Sequence, residues 1–194
     1  MRKGLLTRAA ALAAGAAVAS ETLREKTSAG LALAVDGTGR ITELSGAGVN
    51  RLHPDEPGFL VTIREYEKNG ACWKMSGKTL SPRHMTFTGA RGKGKVWRLA
   101  FDNAAEVELR IENKGRYLRL EIVGAASPAG IAAVNWGPYP TTLHDTVGRY
   151  LGIVRGRDFA IGALSLGIGT DGVYRDAMSD AACFYDGEKP GGML

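Results

Sequence analysis

Residues Glu106–Val123 read EVELRIENKGRYLRLEIV, and the two halves mirror each other. In the first half Val107, Leu109 and Ile111 alternate with Glu106, Glu108, Arg110 and Glu112. In the second, Leu118, Leu120 and Ile122 alternate with Tyr117, Arg119 and Glu121. Side chains leave a strand on opposite faces with period two, so each half has one dry face and one wet face. Asn113-Lys114-Gly115-Arg116 between them carries the residues that turn a chain tightly. The segment is a β-hairpin, and it sets the pattern for the chain around it.

Working outward, Leu31–Val35 and Arg40–Leu44 flank Asp36-Gly37-Thr38-Gly39, a second hairpin. A third is expected from Val147–Val154 and Phe159–Leu166 around Arg155-Gly156-Arg157-Asp158. Its strands are uniformly apolar, which predicts a central place in a sheet. Phe59–Glu65, His84–Thr88, Val96–Phe101 and Ile131–Trp136 are further strands. No window from Leu31 to Gly169 shows an apolar stripe of period 3.6, and helix is expected only in the N-terminal leader, its extension Glu21–Lys26, and Asp176–Ala182. Some ten closely spaced strands in one domain predict an all-β fold, an antiparallel β-sandwich.

Composition agrees. A chain of 194 residues, 44% hydrophobic, is long enough for one core that buries roughly 70% of the unfolded chain's surface. Glycine, 27 of 194, is about twice its usual ~7% share, as suits a chain of many turns. No stretch approaches the ~20 apolar residues of a membrane-spanning helix.

The N-terminus reads as an export signal. Arg2, Lys3 and Arg8 precede the apolar run Ala9–Ala17, and Ala17-Val18-Ala19 gives a small-x-small cleavage pattern before Ser20. The expected organisation is a signal at 1–19, a leader or linker at 20–30, the sandwich at 31–175, and a linker-like segment at 176–194. The protein is accordingly expected to be exported, periplasmic or extracellular. Removal of the signal takes three bases and no acid, leaving 22 basic and 20 acidic residues. A balance so near neutral gives no general attraction to nucleic acid or membrane. In an oxidising compartment Cys72 and Cys183 can close one long loop, worth about 4 to 5 kcal/mol in the chain-entropy model. Two unrelated buried thiols are the alternative.

Most catalytic motifs fail on inspection. Gly89–Lys95 spells G-x-x-x-x-G-K, but Val96 stands where the metal-binding hydroxyl belongs, and a strand follows where a helix should. Gly167, Gly169 and Gly172 spell G-x-G-x-x-G, a pattern expected by chance roughly half a time in so glycine-rich a chain. His53, His84 and His144 lie far apart with no metal-ligand spacing. No metal or other cofactor is implied. Lys68 to Phe101 holds eight bases, Lys68, Lys74, Lys78, Arg83, Arg91, Lys93, Lys95 and Arg98, and no acid. That stretch is either a face for polyanions or a set of hairpin loops whose partners are acids elsewhere, such as Glu106–Glu112.

Asn135-Trp136-Gly137-Pro138-Tyr139-Pro140-Thr141-Thr142 places two aromatic rings on a proline-stiffened backbone. Flat rings stack on sugar faces, and neighbouring polar groups bond hydroxyls. Trp136, Tyr139, His144 and Asp145 are therefore the candidate carbohydrate-binding residues. A buried Trp136 plugging the end of the sandwich is the equal alternative.

In the order of these features, LALAVDGTGRITEL at Leu31–Leu44, the Glu106–Val123 hairpin, and WGPYPTTLHDTVGRYLGIVRGRDFAIGALSL at Trp136–Leu166, the chain resembles the N-terminal β-sandwich of large exported bacterial glycoside hydrolases. The likeness covers Ala29 to Tyr174. It implies a galactose-mutarotase-like supersandwich fold, packed beside a catalytic barrel that carries the catalytic carboxylates. A barrel needs ~250 residues, so the chain is expected to be a fragment lacking its catalytic domain, as its GEKPGGML ending suggests. The expected function is a non-catalytic module of a carbohydrate-active enzyme, with carbohydrate and that catalytic domain as partners. The alternatives are a stand-alone mutarotase or epimerase, or a secreted lectin-like adhesion module. Mutarotases of this fold use a His and Glu pair, and neither His84 nor His144 matches their motif.

Overall fold

The computed structural model describes residues 22–69, 71–75, 77–128, 130–147, 153–164, 166, 170–173 and 182–186. The leader at 1–19, residues 176–181 of the expected C-terminal helix, and the tail from 187 lie outside them. Among the described residues there is no helix, and the chain is all-β with antiparallel sheets.

In chain order the strands are β1 (Leu23–Lys26), β2 (Leu31–Val35), β3 (Ile41–Gly46), β4 (Val49–Asn50), β5 (Val61–Asn69), β6 (Cys72–Met75), β7 (His84–Arg91) and β8 (Gly94–Ala100). They continue with β9 (Glu106–Asn113), β10 (Leu118–Ala126), β11 (Ile131–Trp136), β12 (Thr146–Val147), β13 (Ile153–Arg155), β14 (Ala160–Gly162), β15 (Thr170–Val173) and β16 (Ala182–Asp186). Four sheets result, ordered β1-β2-β3-β4, β10-β9-β8-β7, β15-β16-β11-β5-β6 and β12-β13-β14.

The Glu106–Val123 hairpin is β9 and β10, with Asn113 opposite Leu118 and Ile111 opposite Leu120. The Asn113 side-chain oxygen accepts a hydrogen bond from the Gly115 amide at 2.9 Å, closing the turn locally. One extra residue bulges the ladder between Ile122 and Gly124. The dry face of β9, Val107, Leu109 and Ile111, joins Met85 of β7, Trp97 and Leu99 of β8 and Ile122 of β10 in the core. Facing them are Leu23, Leu33, Val35, Ile41 and Leu44 of the first sheet and Val61, Ile63, Ile131, Val134 and Trp136 of the third. A bridge between Arg40 and Phe59 joins the first and third sheets. Sheets stacked over one apolar core make the β-sandwich that the alternation predicts.

Two expectations need correction. Leu23–Lys26 is not a helical extension of the leader: it is β1, which pairs with β2 from Leu23 opposite Val35 to Lys26 opposite Ala32. Leu23 is buried in the core, so tertiary burial overrides the helical leaning of a short charged segment. The strand-forming part of the chain therefore starts before residue 31, and β16 carries it past 175. The Val147–Leu166 hairpin also departs from expectation. Its strands β13 and β14 are three residues each, in a three-stranded sheet where β13 is central, between β12 and β14, and β14 is at the edge. Its inner side is apolar because Val154 is buried there, and its outer side is apolar too, with Ile153 and Leu164 exposed.

Candidate functional site

The aromatic–proline segment is part of the framework. Trp136 ends β11 opposite Val61 of β5, and with 8% of its surface exposed its ring offers no open face to a sugar. Beyond it the chain is stitched to residues 51–62. The Gly137 amide donates to the Leu60 carbonyl at 3.1 Å, and the Phe59 amide to the Pro138 carbonyl at 3.1 Å. The Tyr139 hydroxyl donates to the Leu60 carbonyl at 2.9 Å, and the His53 amide to the Pro140 carbonyl at 3.1 Å. Leu52 bridges Thr141, and the Thr142 amide donates to the Arg51 carbonyl at 2.8 Å. The Gly137–Pro138 peptide is cis. Of the two readings of this segment, the structure shows the plug: Trp136 fills the core and Tyr139 ties its phenol to the backbone.

His144 and Asp145 lie just past this clasp. His144 is 86% exposed at its side chain, and its Nε2 is 4.0 Å from Asp145 Oδ1. Its Nδ1 is 2.9 Å from the Thr142 carbonyl. The four candidate carbohydrate contacts thus divide into two framework aromatics and two solvated polar groups, and they do not form one open platform.

Among the described residues, four of the eight bases of the stretch pair with acids. Lys74 pairs with Glu67 at 3.2 Å, Arg83 with Asp102 at 2.8 Å, and Lys95 with Glu25 at 2.8 Å. Arg98 lies 3.0 Å from Glu108 and 3.7 Å from Glu106, which raises its pKa above the ordinary value, the Glu108 hydrogen bond contributing most. The Gly89–Lys95 motif forms the β7–β8 hairpin, with Arg91 opposite Gly94, and its lysine is the one paired to Glu25. No phosphate-cradling helix follows it.

The wet face of β8, β9 and β10 is a lattice of alternating charge. Arg98 stands opposite Glu108, Arg110 opposite Glu121, and Arg119 opposite Glu112. Glu121 is held by Arg110 and by Arg119 at 3.3 Å. Lys114 reaches Glu112 at 2.7 Å. This hydrogen bond, more than the nearby Arg110 and Arg119 charges, holds the Glu112 carboxyl below its usual value. The Arg110 stem crosses Gly94 so closely that a Cβ there would lie 2.7 Å from Arg110 Cγ. Opposite-charge cross-strand pairs of this kind stabilise a sheet face, and the buried Glu112 and Glu121 each have a cationic partner.

A second tie was not legible in the sequence. Arg51 bonds Asp158 at 2.9 Å, and this hydrogen bond is the largest cause of the lowered Asp158 pKa. The two residues are far apart in the chain, and only the folded contact between the β4 exit and the β13–β14 turn brings them together.

Cys72 is an exposed free thiol, so neither expected cysteine reading holds for it. Strands β11 and β5 separate β16 from β6, about 14 Å at ordinary strand spacing. The register also puts Cys183 level with Val61 and Cys72 level with Asn69, about 26 Å apart along the strand. A disulfide needs Cα atoms within about 7 Å, and the pairing is not part of this structure.

Of the G-x-G-x-x-G glycines, Gly167 and Gly169 fall outside the described residues, and Gly172 sits in β15 opposite Cys183. Among the described residues no three His, Cys, Asp or Glu side chains gather as metal ligands, and no helix is long and apolar enough to cross a membrane. No protein-family model, curated protein or solved structure matches this chain.

Proposed function

We propose that this chain is a non-catalytic β-sandwich module of an exported carbohydrate-active enzyme of the glycoside hydrolase class, serving to pack against a catalytic domain. The reading rests on its export-type leader, its succession of hairpins, and its likeness to the sandwich that precedes a catalytic barrel. The observation that carries the non-catalytic part is the state of the carboxylates. A glycosidase general acid needs a carboxyl whose pKa is raised, so that it holds a proton near neutrality. Here Glu112 and Asp158 are shifted the other way, each by a hydrogen bond from a cationic partner. Glu25, Glu108 and Glu121 form salt bridges with Lys95, Arg98, Arg110 and Arg119. Carboxylates paired in this way stabilise a framework.

The purified chain, assayed against a panel of aryl glycosides and by NMR for anomer interconversion of free sugars, is expected to give no turnover with either. Interconversion of anomers would replace this reading with a mutarotase. Strong glycan-array binding without turnover would replace it with a lectin-like module.

A further inference from the structure

We infer that the outer edge of β14 is a self-association site, where a second copy of this chain adds its own β14 antiparallel across a two-fold axis. The inference stands independently of the functional reading above. The β13–β14 hairpin is held rigidly from within. A side chain at Gly46 would collide with the Phe159 ring, so that ring lies directly on the β3 backbone. Arg51 grips Asp158 at 2.9 Å, and Val154 is buried. Ile153 of β13 is 38% exposed, and Leu164 and Leu166, past the end of β14, are each 65% exposed.

Proteins ordinarily protect sheet edges with charge, proline, bulges or extreme shortness. Edge strand β7 has a bulge between Phe87 and Gly89 and gives its Met85 amide to the Gly37 carbonyl. Edge strand β10 has its own bulge and carries Arg119 and Glu121. Edge strand β1 carries Arg24, Glu25 and Lys26, and the Asn113 side chain occupies the Lys26 carbonyl. Strands β4 and β12 are two residues long. The edge of β14 is three residues long, with no charge, no proline and no register shift, and the sequence from Phe159 to Thr170, in which it can extend, contains no charged residue or proline.

The edge is also complementary to itself. Antiparallel pairing centred on Ile161 sets Ala160 against Gly162 of the second copy, two small residues on the shared face. The two-fold sends Arg155 and Arg157 of the two copies to opposite ends of the doubled sheet, so like charges do not meet. Asp158 is already neutralised by Arg51. The pairing is isologous and closes as a dimer.

Sedimentation equilibrium on the purified chain tests this, alongside Ala160→Lys and Tyr117→Lys. Ala160 is exposed on β14, and Tyr117 is an exposed residue in the β9–β10 turn. The wild type is expected to double its mass with a Kd on the order of 10 µM. Ala160→Lys is expected to weaken association at least tenfold with an unchanged thermal midpoint, and Tyr117→Lys to associate as the wild type does. A wild type monomeric to about 100 µM, an Ala160→Lys variant that still dimerises, a Tyr117→Lys variant that does not, or assemblies larger than a dimer would each overturn the inference.

Discussion

Single residues show where this sequence is strained and where it is tied. Ala47 has φ +52° and Gly48 +81° in the two-residue turn between β3 and β4. That turn requires left-handed backbone at both positions, where alanine is costly and asparagine is tolerated. Ala47→Asn should therefore stabilise the protein by about 0.5 to 1 kcal/mol, seen as a higher urea midpoint; an unchanged or lower midpoint would contradict the assignment. Asn113 is the opposite case. Its side chain receives the Gly115 amide at 2.9 Å and donates to the Lys26 carbonyl at 2.9 Å and to Glu25 at 3.2 Å. One side chain thus closes its own turn and pins β1 across to the second sheet. Asn113→Ala should cost about 1 to 2 kcal/mol, and Asn113→Asp should recover the turn but not the contacts to β1.

At the scale of elements, the charged face of β8–β10 governs the response to acid. Glu112 has its folded pKa depressed below the ordinary 4.5, chiefly by the Lys114 hydrogen bond. A depressed carboxylate contributes stability that is fully present above the unfolded value and is lost as pH falls through the folded one. Stability should hold from neutrality to about pH 5 and decline below that. Glu112→Gln should flatten that decline in urea midpoints read against pH, with little pH dependence left to remove above the unfolded value. A variant whose acid limb is as steep as the wild type's would show that Glu112 is not responsible. The same face explains a glycine: Gly94→Val would drive its Cβ into the Arg110 stem, unseat the Arg110–Glu121 pair, and cost about 1 to 3 kcal/mol by overpacking.

For the whole molecule, the tertiary structure carries the strand-forming part of the chain back to Leu23. Leu23 is buried among strands from two other sheets. Deleting residues 1–22 should leave the urea transition cooperative and nearly unmoved. Deleting 1–26 removes β1 and should cost at least the ~2 to 5 kcal/mol of a vacated leucine site. Equal stability of the two truncations would show that β1 is dispensable. The β-class and most strands were legible in the chain alone, because period-two alternation along Glu106–Val123 and Leu31–Leu44 is local and survives any arrangement of sheets. Also legible there was the pairing of Arg98 with Glu106 and Glu108, but not that Lys74, Arg83 and Lys95 meet Glu67, Asp102 and Glu25. Tertiary structure alone decided what each strand lies against. Trp136 is the same residue whether it faces sugar or core, and only the stitching of 136–142 to 51–62 turns its ring inward. Leu23 reads as leader until it meets Val35, and β14 reads as a central strand until the sheet order leaves it at an edge. Alternation is a property of neighbours in the chain, whereas burial depends on residues distant in it, and no local pattern records that distance.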